Sequence, residues 1–439
     1  MLSQKKLELK ADWNMNNKEI AIVLGGTVPH CELIRQLQAR NYFVILIDYL
    51  PNPPAKQVAD EHIQESTLDK EAVLRVALER NASLVICGCV DQANITACYV
   101  MEKLNCRPPY SYSTALSITN KGEMKKMMRE NDIPTSRYIY FDNCNDLESI
   151  DLNYPVIVKP ADSNSANGVK KVDNIIELSK SLETALQISR NNRAIVEEFV
   201  EGVEISAYCY VKNHQAKLLM TAERLSVLDG DEEVIKCYSS VAPARIGDVA
   251  EKQAEAIATK IAKAYQLDNT PLFFQGILSN DKISVIEFAP RVGGGSCFKT
   301  IKENTGFDVI EATIDSWLGR SVTFDKWHYP SEVIVVNTVY GNDGIYGKIT
   351  GYQKLLDEGT IQALYPIRTT GETIDNRRAS SSRICFIVIK ASSLPEVVDR
   401  IKEVYEEIDV LSIDGKSLLR KDLSIYSFKE QVLNKKYSL

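Results

Sequence analysis

The stretch that most narrows the choice of fold is residues 271–296, PLFFQGILSNDKISVIEFAPRVGGGS. Two apolar, β-prone runs, 272–278 and 283–288, flank Ser279, Asn280 and Asp281, which is the usual signature of a hairpin. Its strands are unusual in carrying polar residues. Gln275 sits inside the first and Glu287 near the end of the second, with Arg291 just beyond and Gly293, Gly294 and Gly295 following. An amide and a carboxylate at one end of a hairpin can hold a hard cation, because Mg²⁺ takes a few oxygen ligands and keeps several waters. An arginine beside small residues suits phosphate oxygens, through a forked donor and exposed backbone N–H groups. The same residues also fit a plainer description: an edge-strand carboxylate, a satisfied amide and a glycine loop. One hairpin does not choose between the two.

The N-terminal part alternates strands (20–24, 42–47, 83–87) with helices (31–40, 70–80, 91–104). That alternation argues for a parallel sheet wound by right-handed crossovers. Gly25 and Gly26 follow the first strand and Asp48 ends the second, an arrangement that invites a dinucleotide. The run is GGTVPH and lacks the third glycine of that fingerprint, so a tight turn without a dinucleotide is expected. Asp91 reads as a helix cap or as a carboxylate lining a cleft.

Residues 114–131 read as a helical segment containing Asn120 and Lys121. A strand, 156–159, then closes on Lys159 within PVIVKP. A lysine ending so apolar a run favours a functional charge over a solvated tip. The small polar residues 161–168 can bring backbone donors close to phosphates. A strand (169–172), a helix (175–189) and two strands (194–199 and 203–211) follow, with Glu197 and Glu204 on either side of the turn at 200–202. Those glutamates either accept from ribose hydroxyls or simply face solvent. Helices are expected at 247–265 and 304–318. Short strands (333–340 and 384–389) and a helix (395–408) then suggest a small α+β unit. The expected division is 1–113, 114–320 and 321–439.

Composition excludes several function classes. The formal net charge of −7 gives no reason to expect nucleic acid or an anionic membrane as partner. No stretch approaches the roughly 20 apolar residues of a membrane span. The opening MLSQKKLELKADWNMNNKE has no long apolar run, so a secretory leader is not expected and a cytoplasmic location is. Ten cysteines without a repeating spacing fit a reduced chain, and four scattered histidines give little to a histidine metal centre.

Taken in order, the N-terminal α/β sheet, Asn120-Lys121, PVIVKP, the small-residue loop, IVEEFVEGVE, FFQG and IEFAPRVGGG resemble the ATP-grasp superfamily of carboxylate–amine ligases. Biotin carboxylase, the purine-biosynthetic members and the carbamoyl phosphate synthetase halves are the nearest likenesses. The resemblance implies an α/β and α+β chain: a Rossmann-like pre-ATP-grasp domain, an ATP-grasp domain of two α+β subdomains, and a small C-terminal α+β unit. It further implies ATP and Mg²⁺, with Mn²⁺ as a substitute. Lys121 and Lys159 would hold the phosphates, under a lid that includes Ser163, Ser165 and Gly168. Glu197 and the backbone of Glu198 and Val200 would read adenine, with Ile277 on its face, and Glu204 would take the ribose. Gln275 and Glu287 match the metal ligands, and Arg291 the arginine that steadies the transferred phosphoryl. Three positions depart from the family: Ala289 stands where Asn is usual, Gln275 where many members have Glu, and, as a lesser change, Asn167 where Ser or Gly is common. The implied activity is ATP-dependent activation of a small carboxylic acid, possibly an amino acid, as an acyl phosphate for attack by an amine. The alternative is an ATP-binding protein of the same fold with weak or no ligase activity. A homodimer stays open. Arg245, Tyr238, Arg377 and Arg383 are candidates for substrate selection.

Overall fold

The structure is a computed structural model that describes residues 18–143, 147, 150–162, 168–230 and 234–434. Strands β1 (Glu19–Leu24), β2 (Tyr42–Ile47), β3 (Glu61–Ile63) and β4 (Leu84–Ile86) form a parallel sheet in the order β3-β2-β1-β4. Most of β1, β2 and β4 is apolar and buried, as strands covered by crossover helices must be. The glycine turn after β1 holds no dinucleotide signature. Asp48 is spent on the backbone, accepting from Gly26 N at 2.7 Å and Leu50 N at 2.8 Å. Pro53 fills the space beside Gly26, where a Cβ would come within 2.4 Å of it.

The segment expected as one helix is two, Tyr112–Thr119 and Lys121–Glu130. Asn120 divides them because its side-chain oxygen caps the second, accepting from Gly122 N at 3.0 Å and Glu123 N at 3.2 Å. Next come β5 (Tyr138–Phe141), β6 (Val156–Pro160), β7 (Lys170–Val172) and β8 (Ala194–Glu198), an antiparallel sheet in the order β5-β8-β6-β7. The helix Ile175–Ile188 packs Leu178 and Leu182 against Val156, Val158 and Val196, which gives this sheet a core of its own.

Eleven strands follow: β9 (Val203–Lys212), β10 (Gln215–Asp229), β11 (Val234–Ala242), β12 (Thr270–Ser279), β13 (Lys282–Ala289), β14 (Val333–Tyr340), β15 (Gly344–Thr350), β16 (Ala363–Pro366), β17 (Thr373–Ile374), β18 (Arg383–Ala391) and β19 (Asp409–Ser412). Eight of them make one sheet, in the order β13-β12-β9-β10-β11-β14-β18-β16, and β17-β15-β19 make a small one. The sequence reading passed over β10 and β11, which stand in the middle of the large sheet. Their polar residues hid them: Glu223 on β10 is fully buried, and Arg245 holds it through two hydrogen bonds of 2.9 and 3.0 Å. The helix expected over 304–318 is also two, Cys297–Thr305 and Val309–Trp317. Gly306, at φ +73°, ends the first, and Asp308 caps the second. Among the described residues no helix is long and apolar enough to cross a membrane.

Candidate active site

The hairpin β12–β13 sets the first part of the site. Gln275 and Glu287 stand directly opposite each other, and on the other side of β12 the register places Gln275 opposite Ser206 and Ile277 opposite Glu204. Paired positions share a face of the sheet, so one patch collects Glu204, Ile277, Gln275 and Glu287. With the Gln275 amide assigned so that both of its ends are satisfied, its nitrogen donates to Glu287 Oε1 at 3.0 Å and its oxygen accepts from Arg224 Nε at 3.2 Å. Arg224, on β10, also donates to Glu204 Oε1 at 2.6 Å. Sequence reading missed Arg224 because it missed the strand that carries it.

The four-stranded sheet and the helix Lys121–Glu130 supply the cations. Lys159 ends the apolar run of β6 and pairs with Oε1 of Glu197 on β8. The other carboxylate oxygen of Glu197 accepts from Lys125 Nζ at 3.0 Å and Ser136 Oγ at 2.8 Å. Burial alone would raise the Glu197 pKa, but Lys125, Lys159 and these hydrogen bonds hold it down to about 2. Burial lowers Lys125 to about 8, against the pull of Glu197. Lys125 was missed by sequence reading, although it lies one turn after Lys121 between the buried Met124 and Met128. Lys121 is the first residue of its helix. Burial depresses its pKa, with Glu287 acting in the opposite direction and Lys159 adding to the depression.

The N-terminal sheet contributes Asp91, the first residue of the helix Asp91–Lys103. Its carboxylate takes two hydrogen bonds from Arg291, Nε to Oδ1 and Nη2 to Oδ2, each at 2.5 Å. Arg291 also lies over the Phe273 ring at 4.8 Å and donates to Val292 O at 2.8 Å. Asp91 is thus both a helix-start residue and part of the cleft.

These groups meet on one cavity of about 670 Å³. Lys121, Lys159, Glu197, Glu198, Val200, Glu204, Gln275, Ile277, Glu287 and Arg291 all line it, as do Asp91 and Arg224. The Glu198 carboxylate is taken up by Arg137 at 3.2 Å and by Asn153, backbone and side chain, at 2.9 Å each. Gly168 is not on the wall, although Val169 is. Gly168 is held at φ +74° between Pro160 and Ile188. Ser163 and Ser165 lie outside the described residues. Of the four candidate selectors only Arg383 reaches the cavity. Arg245 serves Glu223, Tyr238 stacks on Phe428 at 4.6 Å, and Arg377 pairs with Asp375 at 2.9 Å.

Residues 119–297 match the phosphoribosylglycinamide synthetase ATP-grasp (A) domain. The formate-dependent phosphoribosylglycinamide formyltransferase of Pasteurella multocida (strain Pm70) is 28% identical over 277 residues, which is 62% of this chain and 68% of that protein. The fold is similar to an L-amino acid ligase from Bacillus licheniformis, with a TM-score of 0.75, 18% identity, and 90% and 99% of the two chains covered. It is also similar to phosphoribosylglycinamide synthetase from Anaerococcus prevotii, with a TM-score of 0.72, 18% identity, and 90% and 100% covered. Domain match, fold and ordered motifs agree: residues 119–297 match an ATP-grasp domain, and the chain has the fold of these solved structures.

Proposed function

We propose that the protein is an ATP-dependent ligase that joins a small carboxylic acid, such as an amino acid, to an amine. The observation that carries this reading is the convergence of Lys121, Lys159, Glu287 and Arg291 on one cavity wall. Lys121 and Lys159 grip the triphosphate, and Arg291 steadies the phosphoryl group in transit. Glu204 faces the ribose, Ile277 packs on adenine, and the backbone of Glu198 and Val200 reads the ring edge. The Glu197 carboxylate is spent on two lysines and a serine, so its part is to aim Lys159.

Glu287 fits a hard divalent cation. Its carboxylate is on the cavity wall, and among the described residues it forms no ion pair. Mg²⁺, with Mn²⁺ as its substitute, would be held there, next to Gln275, and would neutralise charge on the phosphoryl oxygens. The substrate carboxylate attacks the γ-phosphorus, the bond to the leaving oxygen breaks, and ADP departs. The amine nitrogen then attacks the acyl carbon and forms the C–N bond. Phosphate leaves, and the nitrogen releases its proton. No protein nucleophile is required, so the chain's contribution is positioning and preorganised charge.

Release of ADP and phosphate, measured over a panel of carboxylates and amines, tests this reading. ADP should appear only when an accepted carboxylate is present. Nucleotide binding with no carboxylate-dependent turnover across the panel would overturn it in favour of a binding protein.

A further inference from the structure

The hairpin is poor in metal ligands, and a cation lies on β10, two strands from β12 in the same sheet. Gln275 is neutral where it faces Glu287, and Ala289, buried two residues beyond, offers no side-chain oxygen. The cation beside them is Arg224, on the wall of the same cavity. Its Nε donates to Glu204 Oε1 at 2.6 Å and, with the Gln275 amide assigned as above, also reaches the amide oxygen at 3.2 Å, while the amide nitrogen donates to Glu287 at 3.0 Å. The opposite assignment would set its NH₂ group against a guanidinium N–H and its oxygen against the Glu287 carboxylate, so the hydrogen-bonding partners favour this one. Gln275 is therefore held as a link between Arg224 and Glu287, with its carbonyl already engaged.

Phosphoryl transfer is commonly served by two divalent cations that neutralise the transferring group. A second carboxylate with a second divalent ion would carry one net positive charge; a neutral amide with a guanidinium carries the same. Arginine keeps its proton at any physiological pH, and its planar fork matches phosphate oxygens. Among the described residues no hydrogen bond joins the Nη groups of Arg224 to protein, although the side chain borders the cavity.

We propose that Arg224 stands in for one of the two divalent cations, leaving a single metal ion at Glu287, with Gln275 as the residue that positions the arginine. The inference rests on the reading of Glu287 as a metal ligand given above, and it fixes the number of ions that reading leaves open.

The test counts Mn²⁺ bound per chain by electron paramagnetic resonance, on the full chain saturated with a non-hydrolysable ATP analogue. Wild type should bind one ion. The double variant Arg224→Met with Gln275→Glu, checked for folding by circular dichroism, should bind two. Two ions on wild type would overturn the inference while leaving the ligase reading in place. One ion on a folded double variant that binds the analogue would also overturn it, because another feature would then exclude the second ion. Wild type that binds the analogue with no ion, or fails to bind it, would remove the reading of the site itself. The wild-type count decides even if the double variant does not fold.

Discussion

Asp91 and Arg291, separated by 200 residues, meet in a bidentate ion pair with both hydrogen bonds at 2.5 Å. The pair joins the first turn of a helix in the N-terminal unit to the loop that leaves β13. Its Arg291 side chain is 12% exposed. Such a fork fixes the plane of the guanidinium as well as its position, which matters for the role proposed for Arg291, meeting phosphoryl oxygens at a set angle.

Removing that hold should be felt in rate before affinity. Asp91→Ala should lower kcat by about 10- to 100-fold with a smaller change in the KM for ATP, because a misplaced arginine still leaves Lys121 and Lys159, the proposed phosphate ligands, in place. Asp91→Asn should fall between the variant and wild type. Steady-state kinetics on the three proteins settles it, and equal kcat values would show that Arg291 needs no such partner.

The buried carboxylate between two lysines predicts an acid-sensitive fold. The pKa of Glu197 is held at about 2 when folded, against an ordinary carboxylate value of 4.5. The stability it supplies is therefore complete above that ordinary value and is lost as pH falls from about 4.5 toward about 2. Melting temperatures from about pH 6 to about pH 2 should fall across that window for wild type. Glu197→Ala, which strands the buried Lys125, should cost about 3–5 kcal/mol at neutral pH. An acid profile of the same shape in wild type and variant would rule this out.

Gly202 gives a test that involves no charge. It lies in the turn between β8 and β9, where a Cβ would stand 2.2 Å from the carbonyl oxygen of Leu278 and 2.7 Å from Ile277. Gly202→Ala must push β12 away from that turn, at a cost of about 1–3 kcal/mol. It should also weaken binding of an ATP analogue, since Val200, Glu204 and Ile277 border the displaced backbone. Calorimetric titration beside a thermal melt would show both effects, and an unchanged affinity would separate the turn from the nucleotide site.

Lys159→Ala and Glu287→Ala should each reduce turnover by a factor of about 10² or more with the far-ultraviolet circular dichroism unchanged. In Lys159→Ala the Glu197 carboxylate keeps Lys125 and Ser136, so the fold has a substitute partner. Wild-type-like rates in either variant would remove that residue from the chemistry.

The parts of this site that were legible in the sequence are those whose neighbours betray them. Lys159 closes an apolar strand, and Gln275 and Glu287 interrupt one, so each breaks a local pattern. Lys125 breaks one too, as a lysine on the buried side of an amphipathic helix, but one charge among several lysines carries little weight until its partner is known. That partner, Glu197, is 72 residues away. Arg224 was illegible for a different reason. Its strand carries a buried Glu223 whose counter-charge, Arg245, arrives from beyond the following strand, so polarity that is balanced in space looks like a solvent-exposed stretch. The breaks at Asn120 and Gly306 were readable as capping chemistry, and both helices were nevertheless expected to run through them.

The eight-stranded sheet has a mechanical consequence. Glu287 on β13, Arg224 on β10 and Arg383 on β18 belong to one uninterrupted ladder of hydrogen-bonded strands, whereas Lys159 and Glu197 belong to another sheet with a separate core. The spacing between Lys159 and Glu287 is therefore set at the joint between the four-stranded sheet and that ladder, not within either one.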